Sequence, residues 1–161
     1  MDKAWASFVF VLAVSFSVAT SALAAESKVF FGAEAAQANY KVIFQVDSDA
    51  PGIFKKTLTN VTNLLNDPRL KNKLEVELLA NSAGYKIFEK GGEFETQLKE
   101  LQSKGVLLAE CENTLHEMKV DKSRLYPFIS YVPSGMGELT IRQGEGWAYI
   151  HPSPPIVESK K

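Results

Sequence analysis

Cys111 is the single cysteine of this 161-residue chain and the residue with the widest choice of chemistry. It stands between an apolar run, residues 105–110, and a polar stretch that begins with Glu112, Asn113 and Thr114. A single thiol has no partner for a disulfide within its own chain. In an exported protein, such an odd cysteine points either to pairing with another chain or to a free, reactive thiol.

The position of Cys111 at the start of a predicted helix favours a reactive thiol. Backbone N–H groups at a helix N-terminus stabilise thiolate over thiol. A competing interpretation is structural, because Cys111, Leu115 and Met118 have the spacing of one apolar helix face. A cysteine buried in such a face behaves as a small, inert hydrophobic residue. The sequence therefore leaves both interpretations open.

Four neighbours of Cys111 could change its reactivity. Asn113 and Thr114 could donate hydrogen bonds to a sulfur anion, or they could instead cap the helix, a role that suits Thr114 better. Glu110 and Glu112 flank the thiol, and unscreened carboxylates at these positions would raise its pKa. These effects oppose each other, so the charge on Cys111 depends on the geometry of the folded chain.

Alternating strand and helix patterns hold these residues in place. A predicted helix after the first strand carries Phe54, Leu58, Val61 and Leu65 on one apolar stripe. Strands alternating with helices predict a parallel sheet that is covered by helices on both faces. Runs rich in apolar, β-branched and aromatic residues predict strands at 40–46, 74–80, 106–110, 127–132 and 147–150.

The carboxyl ends of these strands should form the candidate site. Right-handed crossovers bring them to one edge of the sheet, and ligands of such folds bind outside that edge. Polar or glycine-containing segments follow four of the strands, at 47–52, 81–84, 111–114 and 133–137. From them we expect six ligand-binding residues beside Cys111, although Asn81 and Ser82 could simply satisfy their own turn. The six are Asn81, Ser82, Asn113, Thr114, Ser134 and Gly135.

The chain begins with the pattern of a secretory signal. Lys3 precedes an apolar, serine-containing run at 6–18, and Ala22-Leu23-Ala24 supplies a small-residue cleavage site. We expect cleavage after Ala24, a periplasmic or secreted location, and no stable membrane insertion afterwards. An uncleaved anchor is the alternative.

Removal of residues 1–24 leaves about 137 residues, enough for one domain with a real core. We expect an N-terminal arm at 25–38, one α/β domain at 39–152 and a disordered tail at 153–161, which is rich in proline and lysine.

Composition and motifs argue against several classes of function. The formal net charge is -1, and no basic run interleaved with aromatic residues is present, so nucleic-acid binding is not expected. His116 and His151 are the only histidines, and their spacing fits no zinc motif. Phosphate-loop, dinucleotide and serine-hydrolase motifs are absent. We therefore expect neither a metal nor an organic cofactor.

Three segments resemble the DsrE/DsrF (YchN-like) sulfur-relay family. They are the first strand, 40–47, the strand-then-thiol segment, 106–115, and the late segment, 132–150. The resemblance covers roughly residues 39–152. It implies a three-layer α/β/α sandwich around a five-stranded parallel sheet, and homo-oligomers that are often trimers or hexamers. In the sulfur-relay members a cysteine carries a persulfide and passes the sulfur on, and by position that cysteine would be Cys111.

The leading hypothesis is an exported sulfur carrier, or sulfurtransferase. It takes up sulfane sulfur on Cys111 and delivers this sulfur to a thiol-bearing protein partner. Surplus apolar residues, Phe30, Phe31 and Trp147–Tyr149, could supply the subunit interface. The alternative is a non-catalytic module that binds a small ligand or a protein, with Cys111 merely buried. Access to the sulfur distinguishes the two hypotheses.

Overall fold

The computed structural model of the protein describes residues 29–153. The predicted signal peptide, and the predicted tail beyond Ser153, lie outside these residues. Residues 29–33 belong to no helix or strand, and the side chains of Val29, Phe30 and Phe31 are exposed. The compact unit that begins at Glu34 carries every helix and strand considered below.

Five parallel strands form one sheet, which confirms the predicted α/β fold class. The strand order is β4-β3-β2-β1-β5, and every neighbouring pair is parallel. The strands are β1 Tyr40–Val46, β2 Leu74–Ala80, β3 Leu107–Cys111, β4 Ser130–Val132 and β5 Ala148–Ile150.

Helices connect the strands in sequence. Three 3-10 helices also occur, at Pro68–Leu70, Ser82–Phe88 and Lys122–Arg124. The α-helices are α1 Ile53–Leu65, α2 Glu95–Ser103, α3 Glu112–Met118 and α4 Gly135–Gly144.

The two faces of the sheet are covered unequally. On one face α1, α2 and α3 pack on the larger core, which includes Leu58, Leu98 and Leu115. On the other face α4 packs through Leu139, with Trp147 beside it. This follows from the topology: β1 to β4 are added side by side, and α4 then crosses back to bring β5 next to β1. The result is the expected α/β/α sandwich with one thin layer.

Strand alternation explains why the runs of apolar residues are continuous. In β1, Phe44 faces the larger core and its neighbour Ile43 faces the smaller one. Residues of a strand point alternately to the two faces, so a strand buried on both faces needs apolar residues at every position.

Some element boundaries differ from the prediction. β3 extends to Cys111, one residue further than expected, and β4 begins only at Ser130 instead of 127. The chain before β4 is held elsewhere, because Leu125 bridges to Glu89 and the Tyr126 N–H donates to the Phe88 carbonyl. Trp147 precedes β5 and is buried.

Candidate functional site

The strand ends meet at one edge of the sheet, as parallel pairing requires. Cys111 pairs with Val132 at the end of β4, and Ala80 pairs with Glu110 in β3. The segments that follow β2, β3 and β4 therefore converge around Cys111.

Cys111 has two structural roles at once. It is the last residue of β3 and the N-cap of α3, with extended backbone angles of φ -75° and ψ 116°. Its Sγ accepts a hydrogen bond from the Thr114 N–H at 3.4 Å, which is the usual contact of an N-cap side chain with the third helical residue. No loop separates the strand from the helix, so the position of the sulfur is fixed by both elements.

A second helix also directs an N–H group at the sulfur. The Gly135 N–H, at the start of α4, donates to Cys111 Sγ at 3.1 Å. Glycine suits this approach, because a Cβ at position 135 would lie 3.3 Å from Asn81 Cβ and 3.4 Å from Cys111 Cβ, close enough to push these neighbours apart by a few tenths of an ångström. The preceding residue, Ser134, caps α4 through its hydroxyl, which accepts from the Gly137 N–H at 3.2 Å.

The Thr114 hydroxyl links two of the converging segments. Its oxygen accepts a hydrogen bond from the Ser82 N–H at 2.9 Å. This contact leaves the hydroxyl proton available to the sulfur of Cys111, and the Thr114 side chain lowers the pKa of that thiol. The predicted capping role of Thr114 is therefore wrong: Cys111 is the cap, and Thr114 supplies donors to it.

The segment that carries Asn81 and Ser82 is held close to β1. Ser82 adopts a left-handed backbone with φ 48°, which is uncommon for a residue with a side chain. A Cβ at Gly84 would lie 2.0 Å from the Val46 carbonyl oxygen, so only glycine fits there. This tight segment places Asn81 and Ser82 beside Cys111.

These donors outweigh the burial of the thiol. Burial alone raises the pKa of Cys111, but the Thr114 hydroxyl and the N–H groups of Gly135, Thr114 and Asn113 stabilise the anion. The net result is that the pKa of Cys111 lies below its ordinary value. Hydrogen bonds to the charged form of a group have this effect.

The two acidic neighbours oppose thiolate formation less than the sequence suggested. Glu110 is fully buried, and burial followed by the Cys111 charge raises its pKa to about 9, so it is neutral at pH 7. Glu112 is half-buried, and its carboxylate forms an ion pair with Lys122. One neighbour thus carries no charge and the other has a counter-charge.

Cys111 lies beside a cavity of about 190 Å³. All six predicted ligand-binding residues line this cavity together with Cys111. The sequence missed two more lining residues, Glu117 and Met136. Glu117 follows Thr114 by three positions in α3 and so shares its helix face, which periodicity could have revealed. The six are Asn81, Ser82, Asn113, Thr114, Ser134 and Gly135.

Access to the sulfur is restricted. Cys111 is only 5% exposed, and Leu115 is buried beside it, as the structural interpretation expected. Met118, the third member of the proposed apolar stripe, is instead 45% exposed. Cys111 is therefore packed on one side and borders the cavity on the other.

Other chemistry finds little support within the described residues. Over 29–153, no three His, Cys, Asp or Glu side chains are gathered as a metal site would need. His151 instead contacts Asp47, with Nε2 and Oδ1 2.9 Å apart. None of the helices described is long and apolar enough to cross a membrane.

Comparisons with known proteins place the chain among uncharacterised relatives. No family model and no curated protein matched it. A solved structure of a protein of unknown function from Bacteroides thetaiotaomicron, BT1422, has 17% identity and a TM-score of 0.55, over 69% of this chain and 93% of that one. At that identity the likeness concerns the fold alone.

A second solved structure is a nearer relative. It is the protein of unknown function MTH1491 from Methanobacterium thermoautotrophicum, with 33% identity and a TM-score of 0.66. The match covers 71% of this chain and 100% of that one. Identity of this level over a whole chain shows common descent, and the protein belongs to the same family as the Methanobacterium protein.

Proposed function

We propose that this protein carries sulfane sulfur as a persulfide on Cys111 and passes it to a thiol-bearing partner. The single observation that supports this most is the set of donors on Sγ: N–H groups from two helices and the Thr114 hydroxyl lower the thiol pKa at the wall of a cavity. Thiolate, not thiol, is the form that attacks sulfur. The resemblance of segments 106–115 and 132–150 to sulfur-relay proteins supports the same chemistry.

Loading is an exchange between the Cys111 thiolate and a donor persulfide. The Cys111 thiolate attacks the outer sulfur of a donor persulfide, R–S–SH, and forms a new S–S bond. The S–S bond of the donor breaks, and the donor leaves as R–S⁻. The proton of the donor's S–H goes to solvent or to R–S⁻, and no external oxidant or reductant is consumed.

Delivery repeats the exchange in the opposite direction. The thiolate of the acceptor attacks the outer sulfur on Cys111, and Cys111 leaves as a thiolate. A lowered pKa makes Cys111 a better leaving group, because thiols of lower pKa leave faster. The same hydrogen bonds that prepare the thiol for loading therefore also promote release.

The cavity suits a small adduct. Its volume of about 190 Å³ is below the 300–1,000 Å³ that is typical of drug-sized ligand sites. Its lining is polar around the sulfur, with amide and hydroxyl groups from Asn81, Ser82 and Asn113. One added sulfur atom, or the tip of a partner's cysteine, fits these dimensions better than an organic cofactor does.

A non-catalytic binding module is the second candidate, and the low exposure of Cys111 favours it. In that case the same cavity would hold a small polar ligand and the thiol would only fill space. The two functions differ in one measurable property, the reactivity of the thiol in the folded protein.

The test labels native and denatured protein with iodoacetamide and then treats native protein with inorganic polysulfide. A sulfur carrier should label in the native state near neutral pH and gain sulfur mass on Cys111 by mass spectrometry. Cys111→Ser should abolish both reactions and keep the fold, since serine is nearly isosteric and can cap α3. Labelling only after unfolding, with no sulfur adduct on native protein, would reject the carrier function.

Export and assembly are further proposals. We propose cleavage after Ala24 and export to the periplasm or medium, which N-terminal sequencing of the exported protein checks; a sequence starting at Met1 would contradict it.

We also propose a homo-oligomer, a trimer or hexamer. Exposed apolar side chains, among them Phe30, Phe31 and Tyr149, are available for its contacts. Light scattering that shows only a monomer at micromolar concentration would contradict this.

A further inference from the structure

A row of polar side chains, two of them buried, runs along the sheet edge from β5 to the Cys111 cavity. The Tyr149 hydroxyl donates to Gln45 Oε1. Gln45 Nε2 donates to Asn81 Oδ1 at 2.9 Å. Gln45 and Asn81 are 6% and 8% exposed. Burying two amides has a cost unless their hydrogen bonds are made, and this row makes them.

The row has a direction. A side-chain amide has an acceptor oxygen and a donor nitrogen, and rotating the group by half a turn exchanges their positions. Because Tyr149 donates its proton to Gln45 Oε1, Gln45 presents Nε2 to Asn81. Asn81 must then turn Oδ1 toward Gln45, which leaves Nδ2 on the other side. The reverse direction would turn the Asn81 oxygen away from Gln45 instead.

Asn81 Nδ2 lies beside Ser82, another residue that lines the cavity. One of its two N–H groups donates to Ser82 Oγ at 3.2 Å. Asn81 and Cys111 both line the cavity, and the Cβ atoms of both lie within 3.4 Å of the point where a Gly135 Cβ would sit. An amide nitrogen there is a donor for an anion, whereas an amide oxygen would repel one.

A persulfide needs such a donor at a new position. The N–H groups of Gly135 and Thr114 already contact Sγ, the inner sulfur. The outer sulfur would lie about 2 Å further out, at the length of an S–S bond, and would carry the negative charge. It therefore requires hydrogen bonds from the cavity wall, not from the helix N-termini that hold Sγ.

We propose that Gln45 and Tyr149 are positioning residues that hold the Asn81 amide with Nδ2 toward the cavity, where it donates to the outer sulfur of the loaded protein. This inference rests on the proposed function. Asn81 is the residue in contact with the adduct; Gln45 acts through Asn81, and Tyr149 acts through Gln45.

The experiment compares three variants with wild type after loading by inorganic polysulfide. Gln45→Met removes the hydrogen bond to Asn81 and keeps the length of the side chain. Gln45→Glu offers only acceptors when ionised, so it should attract Nδ2 of Asn81 and turn Oδ1 to the cavity. Tyr149→Phe removes only the donor that selects the direction, at a half-exposed position where folding is at little risk.

Two readouts are taken from each variant. The first is the fraction of Cys111 that carries persulfide at equilibrium, by intact mass. The second is the pH midpoint of iodoacetamide labelling of the unloaded thiol, which reports on Sγ alone. We expect the ratio of loaded to unloaded protein to fall about tenfold in Gln45→Met, the effect of one charge-assisted hydrogen bond, and further in Gln45→Glu. Tyr149→Phe should cause a smaller loss, of about two- to threefold, since Gln45 can then adopt either direction.

The outcomes separate this inference from the proposed function. Wild type that takes no sulfur overturns the proposed function itself. Wild type that loads, with Gln45→Met loading equally well, overturns only the positioning role. A variant in which the pH midpoint of labelling shifts together with the loss of loading would also overturn the positioning role. Gln45 would then act on Sγ or on the fold, and not on the outer sulfur. Loss of loading with an unchanged labelling midpoint supports it.

Discussion

Glu110 and Cys111 are consecutive residues of β3 with opposite ionisation behaviour. Both are buried, Glu110 completely. The pKa of Glu110 is raised to about 9, and its carboxylate oxygens have no hydrogen-bond partner in the described structure. The pKa of Cys111 is lowered, and its sulfur has several donors.

The difference comes from the alternation of the strand. Successive side chains point to opposite faces, so Cys111 lies on the face of α4, where the Gly135 N–H reaches its sulfur, while Glu110 points to the face of α1, α2 and α3. Burial disfavours the charged form at both positions. Only at Cys111 do hydrogen-bond donors outweigh it. Burial therefore does not decide the charge of a group at this sheet edge; the presence of oriented N–H and O–H groups does.

The largest expected effect concerns Glu110 and stability. The folded-state pKa of about 9 lies above the unfolded value of about 4.5, so the folded protein holds a proton that the unfolded chain releases. Stability from this group is fully present below about pH 4.5 and is lost as pH rises toward 9. The loss approaches about 1.4 kcal/mol per pH unit within this window.

Glu110→Gln and Glu110→Met should both flatten this part of the pH dependence. Denaturant unfolding at pH 5, 7 and 9 measures the free energy of unfolding of each variant and wild type. Between pH 5 and pH 9, the free energy of unfolding should fall less in both variants than in wild type. An unchanged slope in both would mean that Glu110 is ionised in the folded protein and that the contrast with Cys111 is wrong.

Gly135→Ala should have the next largest effect, at Cys111. The new Cβ would crowd Asn81 and Cys111 and move the start of α4 away from the sulfur. Loss of one hydrogen bond to a charged group should raise the pKa of Cys111 by about one unit. The pH dependence of thiolate absorbance measures this shift. Gly137→Ala is the matched control, because a Cβ there makes only an ordinary contact with Ser134, at 3.4 Å.

Thr114→Val should raise the pKa of Cys111 about as much as Gly135→Ala does. It removes the hydroxyl that donates to the sulfur and leaves the backbone N–H in place. Thr114→Ser keeps the hydroxyl and should behave as wild type in the same absorbance titration. An equal shift in both variants would assign the effect to packing instead of the hydroxyl.

Lys122→Met should have the smallest effect. It removes the counter-charge of Glu112, so the pKa of Cys111 should rise by a few tenths of a unit, as is usual for exposed charges. The shift should be measurable by iodoacetamide labelling at low ionic strength and should shrink in 0.15 M salt. A shift that salt leaves unchanged would point to lost packing of Lys122 on Tyr131, whose ring centroid is 4.2 Å from Nζ.

The sequence predicted much of this site because its signals are local. Strand and helix periodicity located the strand ends, and parallel pairing then brought Asn81, Thr114 and Gly135 to one edge. The rest depends on contacts between distant segments. The bond from Tyr149 to Gln45 joins residues 104 positions apart, and the bridge from Leu125 to Glu89 shortens β4. No local pattern encodes either contact, and none shows that Glu110 is buried without a partner.

The direct junction of β3 and α3 limits how far the sulfur can travel. Carriers that deliver a group over a distance use a long flexible tether, but here the side chain is short and its backbone is fixed by a strand and a helix. The outer sulfur of a persulfide extends this reach by only about 2 Å. For the proposed carrier, movement would therefore have to come from the other molecule. Its thiol would need to project far enough on a narrow segment to enter the cavity, so the shape of the partner's tip would set which acceptors are served.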